Sequence, residues 1–242
     1  MRRERGILTA AVLALVVGLL AEPAQAIRLS ATAIRIEIND TDGDAGIQMF
    51  VDGEGWDLMQ VRDPHGNIVL NILGESSVGA QGLTELFFES AEPSFEEQSL
   101  DELLALFPEG FYQFRGRTTD GVRLRGSARL THALPDGPVI VLPEEDEEDV
   151  DPDDTVVEWL PVADPPGSRI SGYQVLVLRE KPPHPLEEFS VNVPRTATSV
   201  TVPPEFMRPN NTYKVEVLAI ERSGNQTITE HEFETGERGG GE

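Results

Sequence analysis

The chain of 242 residues contains no cysteine. No disulfide can form, so each domain must be stable through its own core. Basic residues are scarce: 19 Lys and Arg stand against 43 Asp and Glu, a formal charge of −24. That balance disfavours nucleic acid and anionic membrane surfaces as partners. The four histidines, His65, His132, His184 and His231, are scattered without H-E-x-x-H or paired-His spacing, which argues against zinc. No G-x-S-x-G frames a nucleophilic serine, and no glycine-rich loop precedes a helix in phosphate-cradling form. With so many carboxylates, no glycosidase pair stands out. The chain therefore reads as a non-enzyme with no cofactor, apart from calcium, which is considered below.

One long apolar run is present. Arg2, Arg3 and Arg5 precede Ile7–Ala21, fifteen apolar residues, and Ala24-Gln25-Ala26 follows. This is the layout of a secretory signal peptide cleaved after Ala26; a bilayer span needs about 20 residues. Export to a periplasm or the cell exterior is expected, with no membrane attachment after cleavage. Removing residues 1–26 takes away three arginines and two glutamates, leaving 16 basic and 41 acidic residues. The remaining length suits two domains of about 100 residues each.

The C-terminal half alternates with period two. In "TVVEWLPV", Val157 and Trp159 share a face; in "GYQVLVLRE", Tyr173, Val175 and Val177 do; in "TYKVEVLAIE", Tyr213, Val215, Val217 and Ala219 do. "FSVNVP", "TSVTVP" and "TITEHEFE" complete a set of short strands separated by turns, the pattern of an antiparallel β-sandwich. Trp159 followed by Pro161, then "ISGYQVLV", then "MRPNNTYKVEVLA" with "SGN" after it, resemble a fibronectin type III domain over about residues 136–236. The resemblance implies an immunoglobulin-like sandwich with Trp159 and Tyr173 in the core. It also puts Tyr213 at the tyrosine corner, with Asn211 where the family usually has Thr.

"LPEEDEEDVDPDD" concentrates nine carboxylates between Glu144 and Asp154. The resemblance requires a first strand ahead of Trp159, and "GPVIVLP" (Gly137–Pro143) is the candidate. The acidic run then lies inside the domain as a solvated loop rather than between domains. The expected division is a signal peptide (1–26), an N-terminal β-rich domain (27–132), a linker (133–137), a fibronectin type III domain (138–236) and a tail (237–242).

Residues 27–132 are also strand-like. Ile34, Ile36 and Ile38 alternate with Arg35, Glu37 and Asn39, and Asp63-Pro64-His65-Gly66-Asn67 carries hairpin chemistry. Leu83–Glu89 reads as a strand. One helix is expected over about 100–107: Ser99 and Glu102 form a capping box, and Leu100, Leu103, Leu104 and Phe107 line one face. The fold class is thus mostly β, two β-sandwich domains in series, the first with one short helix. "LTELFFESAEPSF", "FPEGFYQFRGRT" and "ARLTH" resemble a β-rich region of exported bacterial proteins, a likeness that implies no activity.

Three features suggest binding. Asp40, Asp42 and Asp44 have the first ligand spacings of a calcium loop. However, Ala45 stands where an EF-hand needs Gly, and Val51 where it needs Glu. A polar turn is the plainer reading, and Asp52 or Glu54 would have to complete a calcium site. Arg115, Arg117, Arg123, Arg125 and Arg129 crowd into one hairpin as candidate contacts with an anionic partner. Pairing with local acids, or docking of the second domain, is the plainer reading. Asn39, Asn210 and Asn225 head N-x-T sequences, relevant only where exported proteins are glycosylated. The function expected is a binding or structural module for a protein or glycan partner. Its alternatives are a calcium-stabilised surface or adhesion protein, or an accessory module of a carbohydrate-active system.

Overall fold

The computed structural model describes residues 26–180 and 188–238. Residues 1–25, which hold most of the expected signal peptide, His184 and the last four residues lie outside these. The first half contains β1 (Ile27–Arg28), β2 (Ala31–Asn39), β3 (Asp44–Arg62), β4 (Ile68–Leu73), α1 (Ser76–Gln81), β5 (Leu83–Glu89), α2 (Leu100–Leu106), β6 (Gly110–Thr118) and β7 (Arg123–Leu130). The second contains β8 (Ile140–Leu142), β9 (Glu147–Val150), β10 (Val156–Trp159), β11 (Ile170–Arg179), β12 (Glu188–Pro194), β13 (Ser199–Thr201), β14 (Thr212–Glu221) and β15 (Gln226–Thr235).

In the N-terminal half the alternation of β2 buries Ile34, Ile36 and Ile38 opposite Met49, Ile47 and Ala45 of β3. Strand β3 is 19 residues long and belongs to two neighbourhoods. Its first part pairs with β2 and β5, its last part with β4 and β6. Between them, at Asp52–Trp56, the register with β5 shifts, as expected where a strand turns from one layer of a sandwich into the other. Gly53 sits at the corner against Leu29, whose Cδ2 would lie 2.7 Å from an added Cβ. Strand β6 pairs with β7, and β1 runs parallel to β7. Trp56, Met59, Val61, Tyr112, Phe114, Leu124 and Leu130 fill the core.

Helix α2 begins at Ser99, whose side chain and that of Glu102 form the reciprocal capping box. It buries Leu103 and packs Leu100, Leu104 and Phe107 on the core. The expectation of one helix is corrected by α1, which buries no residue. Its sequence, SSVGAQ, has no apolar stripe. It also depends on contact of Gly79 with Gly74, where an added Cβ would lie 2.4 Å from the Gly74 carbonyl oxygen.

The C-terminal half is a sandwich of β13-β10-β8 against β15-β14-β11-β12. Trp159 and Tyr173 meet at 5.3 Å between ring centroids, and Tyr213 stacks on Phe233 at 5.6 Å. The Tyr213 hydroxyl accepts from the Arg208 N–H at 2.7 Å, the bond that makes the tyrosine corner. The acidic run is not wholly a loop. Its Glu147–Val150 segment forms β9, parallel to the end of β15, and Asp146 N–H donates to the Glu232 carbonyl. Charged side chains on such an edge strand discourage further pairing while the backbone is satisfied.

The two halves share one sheet. Gln226–Ile228 of β15 pair in parallel with Glu37–Asn39 of β2, so the sheet runs β1-β7-β6-β3-β2-β15-β14-β11-β12 without a break. Asn225, 1% exposed, pins this seam. Its Oδ1 accepts from Ile36 N–H at 3.0 Å, and its Nδ2 donates to the Thr131 and Ala133 carbonyls at 2.8 and 3.1 Å. Thr227 donates to the Pro135 carbonyl. Residues 131–135 are thus bonded against the second half.

Candidate functional site: an arginine face and a carboxylate cluster

Strand alternation sorts the arginines. Phe114, Tyr112, Leu124 and Leu130 point inward, so Arg115 and Arg117 on β6 and Arg123, Arg125 and Arg129 on β7 point outward. The register sets Arg115 directly opposite Arg125, Arg117 opposite Arg123, and Arg129 opposite Phe111. One row across the sheet reads Arg28, Arg125, Arg115, Gln60, Asn71, from β1 to β4. A second ends with Gln113 beside Arg62. All five hairpin arginines therefore lie on one face, extended by Arg28 and Arg62. Exposed Phe111, Ile68 and Leu73 lie at its margins.

Among the described residues, Arg117 alone of the hairpin arginines holds an acid: its Nε and Nη2 bond Asp57 at 3.1 and 2.9 Å. That carboxylate raises the Arg117 pKa further above its ordinary value. Among the described residues, Arg28, Arg115, Arg123, Arg125 and Arg129 form no ion pair. Like charges directly opposed across strands are destabilising. Arg129 also reaches the edge of a cleft of about 860 Å³ between the two halves, lined further by Glu109, His132, Ser168 and Arg222.

The other charged locus is acidic. Asp40 and Asp42 lie exposed in the β2–β3 turn, where Asp42 accepts from the Asn39 amide and Asp40 faces Gly137. Asp44 opens β3, half-buried, with Oδ1 unpartnered. Burial, then Asp42 and Glu230, raise its pKa. The carboxylates gathered within 4.8 Å of one another among the described residues are instead Glu37, Glu89 and Glu92. Sheet register places the first two, and Glu92 lies just past the end of β5. Glu37 faces Gly46 across β2–β3 and Gln226 across the seam, and Glu89 faces Gln48 across β3–β5. The Gln48 amide nitrogen donates to both Glu37 and Glu89, at 2.8 and 2.6 Å, while its oxygen accepts from Arg35. Burial raises the Glu37 pKa and lowers that of Arg35. These glutamates are far apart in sequence and no motif joins them. The alternation of β2 shows only that Glu37 faces away from the isoleucines.

Of the N-x-T asparagines, Asn225 is buried at the seam and cannot carry a glycan in the folded protein. His65, His132 and His231 take separate roles in turns and backbone contacts.

The architecture is that of a mostly β, sandwich-built protein. Residues 146–234 match the family model of the fibronectin type III domain, and this part of the chain is such a domain. Among solved structures, the chain is similar to the FN1–FN3 domains of chicken CNTN1, at 10% identity and a TM-score of 0.36, covering 88% of this chain and 68% of that one. It is also similar to a two-domain fibronectin type III segment of chicken tenascin, at 12% identity and 0.32, covering 86% and 99%. A third is a tetra-tandem repeat from the extending region of a large adhesion protein, at 14% and 0.28, covering 85% and 49%. No curated protein matches the chain. No helix among the described residues is long and apolar enough to cross a membrane.

Proposed function

We propose that this chain is an exported, non-enzymatic binding module whose N-terminal half holds an anionic partner, glycan or protein, on the arginine face. The division into an N-terminal domain (27–132), a connection (133–137) and a fibronectin type III domain (138–236) belongs to the same reading. The observation that carries it is the direct opposition of Arg115 with Arg125 and of Arg117 with Arg123. Self-repulsion of this kind is relieved when an anion bridges the pairs. Fibronectin type III domains commonly serve binding or structural roles, and a rigid sheet presents side chains from a backbone that needs no further ordering. At strand spacing, the five strands of this face span roughly 20–25 Å. A short acidic segment fits within it, whereas the surrounding negative surface repels a long polyanion such as nucleic acid.

The test uses residues 27–242 with a sulfated hexasaccharide and a glutamate decamer as separate probes. Binding of either at micromolar concentration, weakened at least tenfold by Arg115→Glu with Arg125→Glu and by salt above about 0.15 M, is expected. Absence of binding to both probes at low salt counts against the reading.

A further inference from the structure

The cleft of about 860 Å³ between the two halves is polar, and both of its walls are fixed. We propose that it binds one uronic acid, with the sugar's carboxylate on Arg129 and Arg222 and its hydroxyls donating to Thr131, Ser168 and Ser223. The site shares Arg129 with the arginine face but does not rest on binding there.

One wall consists of Arg129 and residues 131–133 of the N-terminal half. The other consists of the loop at residues 166–168 and the turn at residues 222–223 of the C-terminal half. The Asn225 amide holds the Thr131 and Ala133 carbonyls at 2.8 and 3.1 Å. Arg222 N–H donates to the Arg169 carbonyl at 3.0 Å, and Ser168 N–H to the Pro165 carbonyl at 3.1 Å. The backbone on both sides is therefore in place before a ligand arrives, which lowers the ordering cost of binding. The volume lies within the roughly 300–1,000 Å³ of small-molecule sites.

A buried carboxylate orients the hydroxyls. Glu221, 1% exposed, lies behind the lining. Its Oε2 accepts from the Ser168 hydroxyl. Its Oε1 accepts from the Ser223 hydroxyl, from Ser223 N–H at 2.8 Å and from Asn225 N–H at 3.2 Å. A hydroxyl has one proton to donate and two lone pairs. Both serine protons are thus committed to Glu221. Ser223 Oγ can then only accept from Thr131 Oγ1, 2.7 Å away, so the threonine proton is committed as well. All three hydroxyls offer a ligand acceptor lone pairs alone. Such a lining matches a ligand whose own hydroxyls donate, as those of a sugar do.

The charged groups select a single carboxylate. Arg129 and Arg222 line the cleft, and neither forms an ion pair among the described residues. A guanidinium fork takes a carboxylate through two parallel N–H···O bonds. Glu109, the carboxylate on the lining, already accepts from His132 N–H through Oε1 at 2.7 Å. With Glu109 at the surface and Glu221 behind it, a second anionic group on the ligand meets repulsion. A monocarboxylate rich in hydroxyls satisfies all of these groups together.

The experiment titrates sodium galacturonate into the mature chain, residues 27–242, at low salt and follows protein amide shifts by NMR. Saturable binding with a Kd on the order of 1 mM or tighter is expected. Galactose lacks the carboxylate, and N-acetylglutamate has two carboxylates and no hydroxyls; each should bind at least about fivefold more weakly. Arg222→Gln, at an exposed side chain, should weaken galacturonate by a similar factor. Arg238→Gln makes the same charge change at a residue paired with Asp153, away from the cleft, and should leave binding unchanged. The arginine face is read separately by its hexasaccharide and glutamate probes, so either site can fail alone. No saturable binding up to about 20 mM overturns the inference. So does binding of galactose or N-acetylglutamate as tight as that of galacturonate, or an equal effect of Arg222→Gln and Arg238→Gln.

Discussion

Asn225 shows how much one side chain can carry. It satisfies the Ile36 N–H and two carbonyls from residues that belong to the other half of the molecule. Asn225→Ala leaves a buried donor and two acceptors without partners, and it should cost about 2–4 kcal/mol, read as a lower denaturant midpoint. A loss under about 0.5 kcal/mol would mean that water replaces the amide fully. In the sequence this asparagine was visible only as part of a turn and of an N-x-T triplet. Trp159 and Tyr213 were legible because their roles are signalled locally, by strand alternation and by a family pattern. Asn225 and the Glu37–Glu89–Glu92 group were not, because each residue's partners come from other segments. A spacing rule has no access to such pairs.

At the scale of elements, α2 is the part most fully written in its own sequence. Its capping box satisfies N-terminal backbone donors, and Leu100, Leu103 and Leu104 recur at helical spacing. Ser99→Ala removes the cap without touching the core. It should destabilise the protein by about 1 kcal/mol, seen in equilibrium unfolding, and Ser99→Asp should restore most of it. The α1 helix lacked any such signal, having neither a side-chain cap hydrogen bond nor a buried residue. Strand β9 was concealed by its composition. Like charges argue for a loop, yet the backbone there finds the open edge of β15, and side chains that repel one another still point into water. The aspartates of the β2–β3 turn illustrate the opposite case. Their spacing suggested calcium, while the register of neighbouring strands gathers glutamates nearby.

For the whole molecule, the two cores are separate clusters, but the sheet that backs them is continuous. Opening the seam would expose the buried Asn225, Gln226 and Thr227 side chains without their partners. The halves should therefore unfold together, in one calorimetric transition whose van't Hoff and calorimetric enthalpies agree. Two resolved transitions would show that the seam adds little. Six short strands in the C-terminal half could be read from alternation, and so could the mostly β character of the other half. The seam could not. It joins positions 189 residues apart in sequence, and edge-to-edge pairing is decided by which edges remain open after each half has folded.

The parallel sense of that joint has a mechanical meaning. Strand β2 ends where β15 begins: Glu37–Asn39 overlap Gln226–Ile228, and the remainders of the two strands extend away in opposite directions. Tension drawn backward through β2 and forward through β15 loads the overlap as a lap joint, in shear. Its rungs must then yield together rather than peel one at a time, so the short overlap resists stretching better than its length suggests.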